Sequence, residues 1–190
     1  MLTNNFNLKS EKELIEGCIR NNRSCQNQLY NIYATRMMEL CLRYARTRED
    51  AEDILQEGFV QVFISIKQFK FIGALDAWIK KIFINCALQK LRGKKNKYLL
   101  INIEHILETH AIRCTSTDEI DKKILLNCIQ NLSLMSRLVF NLYAFEGFKH
   151  KEIAALLNIS EGSSKSNLFD ARSKLKKQLK EFDFTLKKVS

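Results

Sequence analysis

The sequence predicts an all-α protein made of two small helical domains joined by a linker, the second containing a helix-turn-helix. Three observations carry this. Proline is absent and glycine occurs only six times in 190 residues, whereas folds built on tight turns draw on both. Apolar residues recur at threes and fours along most of the chain, the period of a helix with one face turned to a core. That period fades once, from Gly93 to about Thr117, in a stretch that opens with Lys94-Lys95-Asn96-Lys97. The reading is therefore a first domain over 1–97, a linker over 98–121 with a short strand or helix near Leu99 to Leu107, a second domain over 122–183, and a tail over 184–190. A hydrophobic share of 46% gives both domains material for a core.

Each element has its own signal. Ser10 with Glu13 three residues later has the form of a capping box, which starts the first helix there and carries it to about Asn22. The second covers Cys25 to Arg46, with Leu29, Ile32, Tyr33, Met37, Leu40 and Tyr44 on its apolar side. The third runs from about Asp50 to Gln68 over a stripe of Ala51, Ile54, Leu55, Phe59, Val62 and Ile66. After a break at Phe71-Ile72-Gly73, the fourth spans Leu75 to Arg92 and buries Leu75, Ile79, Ile82, Phe83 and Cys86. Helical patterning resumes at Asp118 and continues to about Lys180, with breaks near Ser133, Gly147 and Asn158.

The last two helices make the helix-turn-helix. Ile153, Leu156 and Leu157 form the apolar face of the first, and Ala154 and Ala155 let a neighbour approach. Asn158 stands at the sharp turn, a position where asparagine tolerates the left-handed conformation. Ile159 can plug the angle, and Ser160 suits the N-cap of the second helix, which buries Leu168, Ala171, Leu175 and Leu179. Away from that stripe lie Lys165, Ser166, Phe169, Arg172 and Lys176, the arrangement by which a recognition helix reaches base edges while its cations meet phosphates. A basic amphipathic helix packing on a protein partner is the plain alternative.

Charge sharpens the reading. A formal net charge of +10 and a pI near 9.4 favour polyanionic partners, although solubility alone would also account for them. Its distribution says more: Glu49 to Glu57 holds five acidic residues and no basic one, and Ala77 to Ile103 holds seven basic residues and no acidic one. On the third helix Asp53, Gln56, Glu57, Val60 and Ile64 share the outer side. Acidic groups beside exposed aliphatics suit protein docking, with an ordinary solvated face as the alternative. On the fourth, Trp78, Lys81, Asn85, Gln89 and Arg92 line one side. An exposed indole, two amides and two cations suit a DNA strand whose bases have left the stack. A lone Trp at helical spacing is otherwise a core residue.

Other classes find little support. Cys18, Cys25, Cys41, Cys86, Cys114 and Cys128 are scattered singly, without the short spacing that metal ligation needs, and most of them read as reduced thiols packed within apolar helical patterns. His105, His110 and His150 lie in no catalytic setting and read as surface groups, so neither an enzyme nor a metal or other cofactor is expected. Met1 to Leu8 lacks the features of a signal peptide, and no apolar run approaches the ~20 residues of a membrane span. A soluble cytoplasmic protein is expected.

Three blocks then carry a family resemblance. Asp50-AEDILQEGFVQVF resembles the polymerase-docking helix of extracytoplasmic-function sigma factors, with its pattern D-x-x-Q-E-x-F. Ala77-WIKKIFINCALQKLRGKK resembles that family's next helix, and Leu132-SLMSRLVFNLYAFEGFKHKEIAALLNISEGSSKSNLFDARSKL its second conserved domain. The blocks cover about 150 residues in the right order. The resemblance implies a bacterial initiation factor that binds core RNA polymerase and directs promoter recognition and DNA melting. Asp53, Gln56, Glu57 and Val60 would dock on the polymerase; Trp78, Lys81, Asn85, Gln89 and Arg92 would meet the −10 element, and Lys165, Ser166, Phe169, Arg172 and Lys176 the −35 element. Members of the family are commonly held inactive by an anti-sigma factor, which adds a further candidate partner. This chain departs from the family pattern at Ser133 (usually proline, so a looser helix start is expected), Asn158 (usually glycine), Ser164 (usually apolar), and Asn167 and Asp170 (often arginine). The reading weighed against it is a stand-alone helix-turn-helix regulator that binds DNA as a dimer.

Overall fold

The computed structural model describes residues 8–92 and 119–189. Among them every regular element is helical: α1 (Leu8–Ile19), α2 (Arg23–Tyr44), α3 (Arg48–Ser65), α4 (Leu75–Arg92), α5 (Glu119–Gln130), α6 (Leu134–Phe140), α7 (His150–Leu157) and α8 (Glu161–Val189). The chain divides into two compact units, one of Met1–Cys41 with Glu49–Lys97 and the other of Leu42–Arg48 with Tyr98–Ser190. Most of the expected linker, together with Cys114, His105 and His110, lies outside the described residues.

In the first unit the helix starts differ from expectation for a local reason. α1 begins at Leu8, so Ser10 lies inside it and is not its cap. The chain then turns through Asn21, which has a positive φ of 57°, and Asn22 caps the next helix. Its Oδ1 accepts from the backbone N–H of Ser24 (2.9 Å) and Cys25 (3.3 Å), which starts α2 two residues before Cys25. α3 ends at Ser65 and tightens into a 3₁₀ turn, Ile66–Gln68, before the loop to α4. In that loop Phe71 and Gly73 both take positive φ, 55° and 83°.

The core of this unit gathers Leu14, Ile15, Leu29, Met37, Ile54, Phe59, Ile79 and Phe83 from all four helices. Phe59 is its hub: Tyr30 lies 4.5 Å from it between ring centroids, and Phe83 meets it edge-on at 5.2 Å. Gly58, beside the hub, is buried against Phe83, and a Cβ there would run into that ring. A glycine inside a helix costs about 1 kcal/mol against alanine. Here the cost is offset by the close seating of α4 on α3. α4 is buried around more of its girth than one stripe predicts, since Ile84, Ala87 and Leu88 are buried together with Leu75, Ile79, Phe83 and Cys86, while Ile82 is only part-buried.

In the second unit Ser133 caps α6, its Oγ accepting from the Ser136 N–H at 3.3 Å. The start expected to be loose is tied down by this serine. α6 passes into a wider π turn, Asn141–Phe145, and Gly147 (φ 74°) ends it. Leu138, Val139, Leu142, Ile153, Leu156 and Leu168 are buried, and Cys128, Ile129, Leu132, Ala171 and Leu175 pack as one cluster between α5 and α8. Lys174 Nζ donates to the Asn131 carbonyl at 2.8 Å, just past the end of α5, where a cation is favoured. α8 continues beyond Lys180 through the expected tail to Val189. Its last turns hold only residues that tolerate a helix, with no proline and no glycine to stop it.

Candidate functional site

Three surfaces come from the helices just described. On α3, Ala51, Ile54, Gly58, Phe59 and Val62 are buried, so the 100° turn per residue leaves Asp53, Gln56, Glu57, Val60 and Ile64 exposed. Val60 and Ile64 are 54% and 59% exposed, an aliphatic pair beside three polar groups. One partner was not foreseen: Lys90 on α4 reaches Asp53, Nζ to Oδ2 at 2.6 Å. Asp53 therefore sits at the edge of the acidic face where it meets the basic one. The spacing of α4 could have suggested Lys90, but which acid it meets depends on how the helices are seated.

On α4 the predicted stripe is less open than expected. Trp78, Lys81 and Asn85 are part-buried and Gln89 is exposed; the Arg92 side chain lies outside those described. The indole packs at 5.5 Å from the Phe69 ring, which in turn packs at 5.2 Å from Phe71. Three aromatic rings thus run from the α3–α4 loop onto α4. Sequence reading treated this loop as a mere break, yet it presents Phe71 half-exposed and Ile72 83% exposed. A cleft of about 330 Å³ opens beside it, lined by Glu11, Lys12, Phe69, Phe71 and Gly73. Positive φ at a non-glycine such as Phe71 was the signal available only in three dimensions.

The helix-turn-helix is built as its residues suggest, except that Leu179, expected on the buried stripe of α8, is exposed. The Glu152 carboxylate accepts from the Lys149 N–H at 2.7 Å at the start of α7. Asn158 closes α7 at φ 53°, ψ 51°, and Ser160 Oγ accepts from the Ser163 N–H at 3.0 Å to open α8. Lys165, Ser166, Phe169, Arg172 and Lys176 are all exposed, Phe169 by 74%. Lys165 pairs with Glu161 one turn earlier, Nζ to Oε1 at 3.0 Å. That hydrogen bond, together with the lysine charge, holds the Glu161 carboxyl below its ordinary pKa. Lys176 and Asp170 extend the exposed side, whereas Asn167 turns to its own helix, Nδ2 donating to the Ser163 carbonyl at 2.8 Å.

Ser164 and His150 overturn one expectation. Ser164 is fully buried, and an unpartnered hydroxyl there would cost about 1–3 kcal/mol. Its Oγ lies 2.9 Å from His150 Nδ1. The histidine read as a surface group is in fact the partner that lets a polar side chain stand on the apolar stripe of α8.

Among the described residues Cys18, Cys41, Cys86 and Cys128 are buried and Cys25 is part-buried. Burial, with a smaller effect of Glu57, pushes the Cys86 thiol up to about 12; burial, then Cys25, pushes Cys18 up to about 11. Protonated thiols at neutral pH are poor nucleophiles and poor metal ligands. Among the described residues no group of His, Cys, Asp or Glu is placed to hold a metal ion, and no helix is long and apolar enough to cross a membrane.

Comparison with known proteins falls on these same two units. The model for sigma-70 region 2 matches residues 29–97, and that for sigma-70 region 4 matches 122–175. The chain belongs to the extracytoplasmic-function family of RNA polymerase sigma factors. It is 25% identical over 183 residues to the RNA polymerase sigma-H factor of Pseudomonas aeruginosa, covering 90% of this chain and 94% of that one. With the ECF RNA polymerase sigma factor SigW of Bacillus subtilis it shares 27% over 169 residues, covering 80% and 88%. The sigma factor RpoE of Bartonella quintana, solved with the anti-sigma factor NepR, has the same fold: TM-score 0.51, 21% identity, 81% of this chain and 96% of that one. A stand-alone helix-turn-helix regulator has no need of a region 2 module, and that alternative is set aside.

Proposed function

We propose that this sigma factor docks on core RNA polymerase through Asp53, Gln56, Glu57 and Val60 and holds promoter DNA in two places. Trp78, Lys81, Asn85, Gln89 and Arg92 meet the −10 element as it opens. The rings of Phe69 and Phe71 beside Trp78 add surface on which an unstacked base can lie. Lys165, Ser166, Phe169, Arg172 and Lys176 meet the −35 element, with Phe169 suited to a thymine methyl group and the cations to phosphates. Two contacts at a spacing set by the polymerase raise the effective concentration of each. The protein acts by binding, without chemistry of its own, in the cytoplasm where polymerase and chromosome meet. An anti-sigma factor that covers the α3 face would keep it inactive.

The observation that supports this best is the order of the two modules along one chain, with the proposed contact residues of α3 and α8 exposed and Gln89 exposed on α4. In vitro transcription with core polymerase on a promoter library tests it. Asp53→Ala with Glu57→Ala should lower accurate initiation at least ~10-fold, the scale expected when interface residues that carry much of the binding energy are lost. Unchanged initiation would show that docking lies elsewhere. Strong operator binding by a dimer without polymerase would overturn the reading as a whole.

A further inference from the structure

The recognition helix is tied at several points, and two of the ties share one histidine. Ser164, in the first turns of α8, bonds through Oγ to Nδ1 of His150, the first residue of α7. The same imidazole stacks on Tyr143 in the π turn, 4.8 Å between centroids and 25° from parallel. Over that tyrosine ring lies the guanidinium of Arg172, 5.4 Å from its centroid. The path Ser164–His150–Tyr143–Arg172 thus leaves α8 and returns to it eight residues later, a little over two turns on. A separate tie joins α8 to α6, Ser136 Oγ donating to Asn167 Oδ1 at 3.3 Å.

An apolar stripe alone sets the depth of a helix more firmly than its rotation, because alkyl contacts have no preferred direction. Hydrogen bonds and ring stacking do have one. Side chains that read bases must be held within about 0.5 Å and 10–20° of the productive geometry. We propose that Tyr143 and His150 are positioning residues for −35 recognition. His150 fixes the rotation of α8 through Ser164, and Tyr143 is the platform that presents the Arg172 guanidinium to one base pair. Neither residue touches DNA in this scheme. The proposal rests on the assignment of α8 to the −35 element made above.

The test selects promoters from a library randomised at the −35 element, using holoenzyme assembled from core polymerase and full-length protein. Arg172→Ala should relax selection at one position by about tenfold, the value of one good side-chain–base contact. Tyr143→Leu should relax that same position to a similar degree, and the double variant no further, because the two act as a unit. Tyr143→Phe keeps the ring and should keep selection. His150→Leu with Ser164→Ala removes both polar partners together, which leaves no buried hydroxyl without a bond. It should fold with a melting temperature near that of the parent and still relax the Arg172 position. This pair decides the matter if Tyr143→Leu destabilises the unit. Relaxation by Tyr143→Leu and Arg172→Ala at different positions, or additive effects, would overturn the proposal, as would unchanged selection in the His150/Ser164 pair. A parent holoenzyme that selects no −35 sequence would instead remove the assignment of α8, and the proposal with it.

Discussion

α3 of the first unit and α8 of the second each carry a face with a proposed function, but they are held in place by different forces. α3 and α4 are seated by shape: Gly58 admits Phe83, and Phe83 meets Phe59 edge-on. α8 is seated on an apolar stripe and then oriented by directed contacts, Ser164 to His150, Asn167 to Ser136 and Arg172 to Tyr143. The difference fits the roles proposed for α3, which docks on protein, and for α8, which reads bases. A docking face of aliphatic and acidic groups tolerates small errors, since burial of area and attraction of charge fall off gradually. A base-reading face does not, because a hydrogen bond weakens steeply with angle.

If shape seats α3 on α4, filling the space at Gly58 should be the most damaging small change in the first unit. Gly58→Val places two methyl groups where Phe83 lies, and overpacking of this kind costs about 1–3 kcal/mol. Thermal unfolding should show a melting temperature lower by ~4–8 °C per kcal/mol lost. Gly58→Val with Phe83→Leu should recover a large part of it. A stable single variant would mean that the close approach of the two helices is not what holds them.

The same contrast explains what could be read from the chain. The apolar period gave the first unit's stripes, because Leu29, Ile54, Phe59 and Ile79 are buried for the reason they are spaced as they are. It could not give the tilt and seating that make Gly58 a contact point or that turn Trp78 partly inward against Phe69. In the second unit Asn158 and Ser160 were legible, since their roles are set by backbone within a few residues. Ser164 was recognised as out of place, but its partner lies 14 residues away and no period links the two. Pairings such as Lys90 with Asp53 are equally silent, as many lysines are spaced to reach some acid. Local chemistry and periodicity are printed in a sequence. Which polar group meets which across a helix packing is a property of the packed state.

The first unit should also respond to alkali through its buried thiols. Cys86 is raised to about 12 and Cys18 to about 11, so both stay protonated in the fold after the unfolded chain has begun to ionise near the ordinary value of 9.0. The folded pKa lies above the unfolded one. The contribution is therefore intact below pH 9 and is lost as pH rises from there through the folded values. Stability should fall by about 1 kcal/mol for Cys86 alone between pH 8 and 10. Urea midpoints at the two pH values measure the combined loss, and Cys86→Ala should remove about half of it, Cys18 keeping the rest. An equal slope in that variant would mean that the thiol is already solvated.

The smallest expected effect lies in the second unit and sharpens the comparison most, because it touches the reading face without touching its seating. Glu161 and Lys165 are an exposed pair one turn apart on α8, and such pairs contribute little to stability. Glu161→Gln should leave the melting temperature unchanged. What it changes is the charge that the first turn of α8 offers to DNA: one carboxylate is gone, and Lys165 no longer shares its ammonium. Holoenzyme binding to a promoter fragment should tighten by about two- to threefold at low salt, and the salt slope should steepen by up to ~0.9 for the one added phosphate contact. Selectivity among −35 sequences should not move, since phosphate contacts carry no base information. A change in selectivity would show that the Glu161–Lys165 pair orients α8 as the buried Ser164–His150 pair does, and the division between seating by directed contacts and binding by charge would then fail at this end of the helix.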